Sequence, residues 1–169
     1  RPRIRRAATH RSKPPTLGED SGRGLLARRA IAQDAEIVKL PVRLCMTKQA
    51  ALESKDLKGV VTEATNEYVA IALLAILERA KGEASFWSEY IAVLPTVEDV
   101  SPTFAWDSDD LEQLGASPAA AATESMVNKL RAEHAAVLDQ HSSLDPAVVT
   151  FEAWQWAFTN LFSRAIRLK

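Results

Sequence analysis

Ser21-Gly22-Arg23-Gly24 stands where a loop meets a run of apolar residues. Glycines at such a junction let a ligand lie against the backbone and let the chain take positive φ. Taken alone, the spacing marks a tight turn first and a ligand contact second. No helix follows and the third glycine is absent, so it is not a dinucleotide fingerprint; no Gly-Lys-Ser/Thr occurs, which excludes a P-loop. Ser21 lacks the Gly-x-Ser-x-Gly elbow of a serine hydrolase. His10, His134 and His141 make no metal set, because the last two fall two turns apart on one helix. Asp107, Asp109 and Asp110 lack the glycine and closing glutamate of a calcium loop and read as helix-start charges. Arg164 is different. It ends an aromatic stretch holding Trp154, Trp156, Phe158 and Phe162, where a guanidinium costs desolvation unless something anionic meets it. It can pair with an acidic side chain, face water, or grip a ligand carboxylate in a fork.

The totals narrow the setting. A chain of 169 residues, 47% hydrophobic and 25% charged, can bury a real core. No run reaches the about 18 apolar residues of a membrane span. Cys45 is the single cysteine and reads as packing; with no intrachain disulfide possible, an intracellular setting is expected rather than a secreted one. Six of the 21 basic residues (Arg1, Arg3, Arg5, Arg6, Arg11 and Lys13) stand in the first fifteen positions, where no acidic residue occurs. The remainder therefore carries 15 basic against 22 acidic residues, which disfavours a polyanionic partner. Residues 1–17 read as a basic, disordered arm: a solvated tail, an organelle-targeting remnant or a weak nucleic-acid contact.

The elements that must position these residues differ along the chain. Between residues 18 and 49, short apolar runs at Leu25 to Ala27, Glu36 to Leu40 and Leu44 to Met46 read as β-strands, with a turn at Gln33, Asp34 and Ala35. From Thr47 onward the chain reads as helical. The centre of this part is Val69 to Leu77, nine apolar residues behind an Asn66 cap and ahead of Gly82, a helix buried on most sides. Ser85 is expected to cap a second helix from Phe86 to Val93, closing a core hairpin that ends at Pro95. Thr47 is expected to cap a short helix through Glu53, and Asp107 to Asp110 crowd the start of another that stops at Gly115. Ser117-Pro118 opens a long helix with a seam of Met126, Val127, Leu130, Val137 and Leu138. Thr150 caps a last helix with Trp154, Ala157, Phe158 and Leu161 on one face.

Taken together, the Gly22-Arg23-Gly24-Leu25 start, Leu44 to Thr47, Ser85-Phe86-Trp87 through Pro95, and Ser163-Arg164-Ala165 resemble one family. The chain is similar, from about Gly22 to Leu168, to the front half of the SET domain of the plant Rubisco large-subunit methyltransferase-like proteins. The resemblance implies an α+β fold: a small β region of split SET N-terminal strands (18–49), a larger helical SET insertion (50–148), and the start of the SET C-terminal part (149–169), incomplete at the C-terminus. It implies S-adenosylmethionine as cofactor, with the backbone around Ser21, Gly22 and Arg23 against it and Arg164 reaching both cofactor and substrate. The partner it implies is a non-histone protein presenting a lysine side chain, with no nucleic acid, membrane or metal involved.

Two departures accompany the resemblance. Relatives often place a second basic residue one turn beyond this arginine, where this chain has Leu168 between Arg167 and Lys169. The family's Asn-His pair does not occur, and neither Tyr68 nor Tyr90, both in the core hairpin, matches its catalytic tyrosine. The expectation is therefore a truncated fragment of a protein-lysine N-methyltransferase, inactive alone, whose front strands lack partners encoded after Lys169 and stay loose. The alternative is a non-catalytic helical interaction module derived from a SET protein.

Overall fold

A computed structural model describes residues 27–166. The basic arm, Ser21, Gly22, Arg23 and most of the Leu25 to Ala27 run lie outside the described residues. Contacts divide the chain between Lys39 and Leu40 into two units. In the first, the expected turn forms: Ala35 N donates to Ala32 O at 3.3 Å, with Asp34 in the left-handed region at φ 62.

The expected β region does not form. Among the described residues there is no strand, only an isolated bridge between Lys58 and Val61. Glu36 to Leu40 runs without a ladder, and Ile37 is 74% exposed. A strand needs a neighbour to take its N–H and C=O groups, and no described segment supplies one. At Leu44 the cause is local. Pro41, at φ −62, opens a 3-10 turn over Val42–Leu44, so that Leu44 N meets Pro41 O at 2.9 Å and Cys45 N meets Val42 O at 2.8 Å. Donors that a strand would have offered sideways are satisfied within the turn. The α+β reading is thus corrected to an all-helical arrangement of the described residues.

The second unit holds the core. Its helices are α1 (Lys48–Glu53), α2 (Glu67–Ala80), α3 (Ser88–Ile91), α4 (Val97–Val100), α5 (Ser108–Glu112), α6 (Pro118–Gln140) and α7 (Phe151–Arg164). Local caps explain most of the starts. Thr47 accepts from Ala50 N, Asp107 from Asp110 N and Thr150 from Ala153 N, at 2.9 to 3.1 Å. Asn66 takes both Tyr68 N and Val69 N at the head of α2, which buries Val69, Ala70, Leu73, Leu74 and Ile76. Helix α4 carries a reciprocal box between Thr96 and Asp99. Leu130 on α6 is buried, and Met126, Val127, Val137 and Leu138 pack against the core beside it, as the seam predicts.

Helices α2 and α7 form the centre. Arg79, late in α2, lies over Trp156, early in α7; Tyr68, at the start of α2, meets Phe162 at the end of α7. The two run antiparallel, so α7 ends beside the beginning of α2. Removing the Asn66 cap should be felt throughout. Asn66→Ala is expected to cost about 1 kcal/mol, read as a lower urea midpoint at unchanged slope.

Candidate functional site

The end of α7 is the part of the expected site that the described residues contain. Its position is set one and two turns earlier, on the same helix face. Trp156 Nε1 and Asn160 Nδ2 both donate to the Pro95 carbonyl, at 3.1 and 3.2 Å. Asn160 Nδ2 also meets Trp156 O at 3.0 Å. From the other side, Gln155 Nε2 donates to Phe104 O at 3.2 Å. The helix is thereby held at two loops that are distant in sequence. Arg164 stands one turn after Asn160, exposed, and its guanidinium makes no hydrogen bond or ion pair to another described residue. Of the three fates open to it in sequence, pairing with a described acidic side chain is not the one adopted.

Ser163 is not free to react. Its hydroxyl donates to Thr159 O at 2.7 Å, the back-bonding common for serine inside a helix. Phe162, half exposed, lies 6.1 Å from the rings of both Tyr68 and Phe104 and 5.5 Å from Phe158.

The second cluster surrounds the Ser85-Phe86-Trp87 motif, and here the expected role of Ser85 is corrected. Helix α3 starts at Ser88, and Ser85 does not cap it. Its hydroxyl donates to Glu78 Oε2 at 2.6 Å and accepts from Trp87 N at 3.0 Å. Glu78 is buried, and its other oxygen takes the Lys81 ammonium, which also reaches Asp56 at 2.7 Å. Trp87 Nε1 donates to Leu44 O at 3.0 Å, across 43 residues. Sequence reasoning missed both this chain of bonds and the Pro95 clamp. The only local hint was polar residues, Glu78 and Asn160, inside otherwise apolar helical faces.

Lys81 is held above its ordinary 10.5 by hydrogen bonds to Asp56 first and Glu78 second. A raised cation value means that its contribution is complete below 10.5 and is lost as pH rises through the folded value. The side chain is a third exposed, so the effect is small. Lys81→Met should lower the urea midpoint by a small constant amount at every pH below 10.5, and the gap should close only as pH rises above 10.5.

Ser21, Gly22 and Arg23 lie outside the described residues, so their distance from Arg164 is not part of this geometry. Among the described residues no group of three or more His, Cys, Asp or Glu side chains could hold a metal ion. No described helix is long and apolar enough to cross a membrane.

No protein-family model matches the chain, and no solved structure matches it significantly. Curated proteins do. It is 30% identical over 155 residues, 87% of its length, to Protein SET DOMAIN GROUP 40 of Arabidopsis thaliana. It is 27% identical over 157 residues, 90% of its length, to the chloroplastic ribulose-1,5 bisphosphate carboxylase/oxygenase large subunit N-methyltransferase of Nicotiana tabacum. To the chloroplastic [fructose-bisphosphate aldolase]-lysine N-methyltransferase of Arabidopsis thaliana it is 28% identical over 148 residues, 85% of its length. In each case the chain spans 30% of the relative's length.

Proposed function

We propose, from the premise that the chain belongs with the SET-domain proteins of the Rubisco large-subunit methyltransferase-like family, that it serves S-adenosylmethionine-dependent methylation of a protein lysine. The observation that carries the reading is Arg164: exposed, unpaired among the described residues, and ending a helix clamped at Pro95 and Phe104. In this reading residues 50–148 are the helical SET insertion, 149–169 begin the C-terminal part, and 18–49 carry the cofactor-facing backbone at Ser21, Gly22 and Arg23. Two of the named relatives are chloroplastic, which favours a chloroplast setting.

Arg164 fits the carboxylate of the cofactor by charge and fork geometry. The cofactor supplies an electrophilic methyl group; the chain's residues supply its placement. No residue of this chain is assigned the removal of the amine's proton. The 169 residues hold no Asn-His pair, and Tyr68 and Tyr90 lie on α2 and α3. Binding without turnover is therefore expected of the chain by itself.

Calorimetric titration with S-adenosylmethionine tests this. Binding that weakens at least tenfold in Arg164→Ala, about 1.4 kcal/mol, supports the reading, since a charge-assisted pair contributes that much or more. Binding unaffected by Arg164→Ala removes the residue from the site. A second reading, a non-catalytic interaction module, draws on the helical core that residues 40–166 build without a sheet. No detectable binding by a cooperatively folding chain would favour it.

A further inference from the structure

We propose that Trp87 is a positioning residue: its indole clasps the Leu44 carbonyl, and the Glu78–Ser85 pair fixes the clasp in one direction. The chain changes character at Leu44. Leu40 and Val42 are 58% and 65% exposed, whereas Leu44, Cys45 and Met46 are half-buried and Met46 packs on the core. The Trp87 bond therefore sits, within the second unit, where the chain passes from exposed to half-buried residues.

The polarity of the supporting bonds leaves little freedom. A buried carboxylate must be matched on both oxygens, and Glu78 has Lys81 on one and Ser85 on the other. The single hydroxyl hydrogen of Ser85 is committed to Glu78, which leaves its oxygen to receive Trp87 N–H. Backbone at Trp87 is thereby pinned. Phe86 meets the indole edge-on at 5.1 Å and 85°, which limits its rotation. The one donor of the ring then points at a carbonyl 43 residues away. None of these groups is needed for chemistry in the proposed function. Their product is the place at which residues 42–46 are held.

Amide hydrogen exchange on the full chain tests the clasp. The reporters are Leu44 N and Cys45 N, which close the 3-10 turn beneath it. In Trp87→Phe, exchange at these two amides is expected to accelerate roughly three- to tenfold, the loss of one ordinary hydrogen bond. Ser85→Ala should move them in the same direction by releasing Trp87 N. Leu73 and Leu74 amides in α2 report global opening, and Ile76→Val supplies a core variant for comparison. Acceleration confined to the reporters supports the clasp. Reporters unchanged, or rising only in step with Leu73 and Leu74 as they do in Ile76→Val, overturn it. If Trp87→Phe fails to fold, Ser85→Ala decides alone by the same criterion. A further consequence rests on the methyltransferase reading: weaker S-adenosylmethionine binding in Trp87→Phe. The exchange result stands whether or not that binding is found.

Discussion

Trp154→Ala is expected to remove a large part of the stability of the helical body. The side chain is fully buried, with its ring 5.3 Å from Phe158 and 5.6 Å from His134. His134 in turn donates from Nε2 to Val149 O at 2.7 Å, just before the Thr150 cap, so the ring backs the entry to α7. Truncating a buried tryptophan costs about 3–5 kcal/mol, against a total of about 5–15 kcal/mol for an ordinary domain. Trp154→Phe is the informative companion. The indole Nε1 is buried with no acceptor, so losing that N–H removes an unsatisfied donor and offsets part of the lost volume. Urea unfolding should show the alanine variant with a much lower midpoint, or none, and the phenylalanine variant close to wild type. Equal losses in both would mean that the N–H has a partner after all.

The second large effect is expected from Asn160→Asp. The Asn160 amide nitrogen faces two carbonyl oxygens, those of Pro95 and Trp156, in a site only 8% exposed. A carboxylate there can only accept, and it would meet two acceptors. An uncompensated buried charge costs about 3–5 kcal/mol. Protonation relieves it, because a carboxylic acid can donate to one of the carbonyls, so the folded-state value must rise. The sign follows. An acid raised in the folded state leaves stability intact below its unfolded value of about 3.9. Stability is then lost as pH climbs to the folded value, and it stays low beyond. The variant should thus be more stable in mild acid than at neutral pH, the reverse of a paired surface carboxylate. Asn160→Leu is the control: the unpartnered Oδ1 goes together with the donor, and the change should be mild at every pH. A pH series of denaturation midpoints checks both.

These two positions show where sequence reading ends. The buried face of α7 is legible, because Trp154, Ala157 and Phe158 recur at helical spacing and Thr150 caps at a separation of three. The same holds for Asn66, Thr47 and Asp107, whose partners lie two or three residues away. The Pro95 clamp is not legible. Its donors lie 61 and 65 residues from the acceptor, and nothing in the local pattern names a proline carbonyl as the target. Ser85 fails for the same reason. Its spacing suits a cap, yet the competing acceptor, Glu78, is seven residues back on the preceding helix.

Sequence alone determined the helical body, most of its caps and its apolar seams, since each depends on residue type at short, fixed spacing. Only the tertiary structure decided the fate of the front segment and of the polar residues. The short apolar runs at 36–40 and 44–46 look strand-like in sequence, but a ladder is a property of two segments and no described one stands opposite. Likewise Glu78, Ser85, Trp87, Trp156 and Asn160 acquire their roles from whichever acceptor or donor the packed helices bring within 3 Å or so. That pairing is fixed by the arrangement of α2 against α7, which no single stretch of the chain encodes.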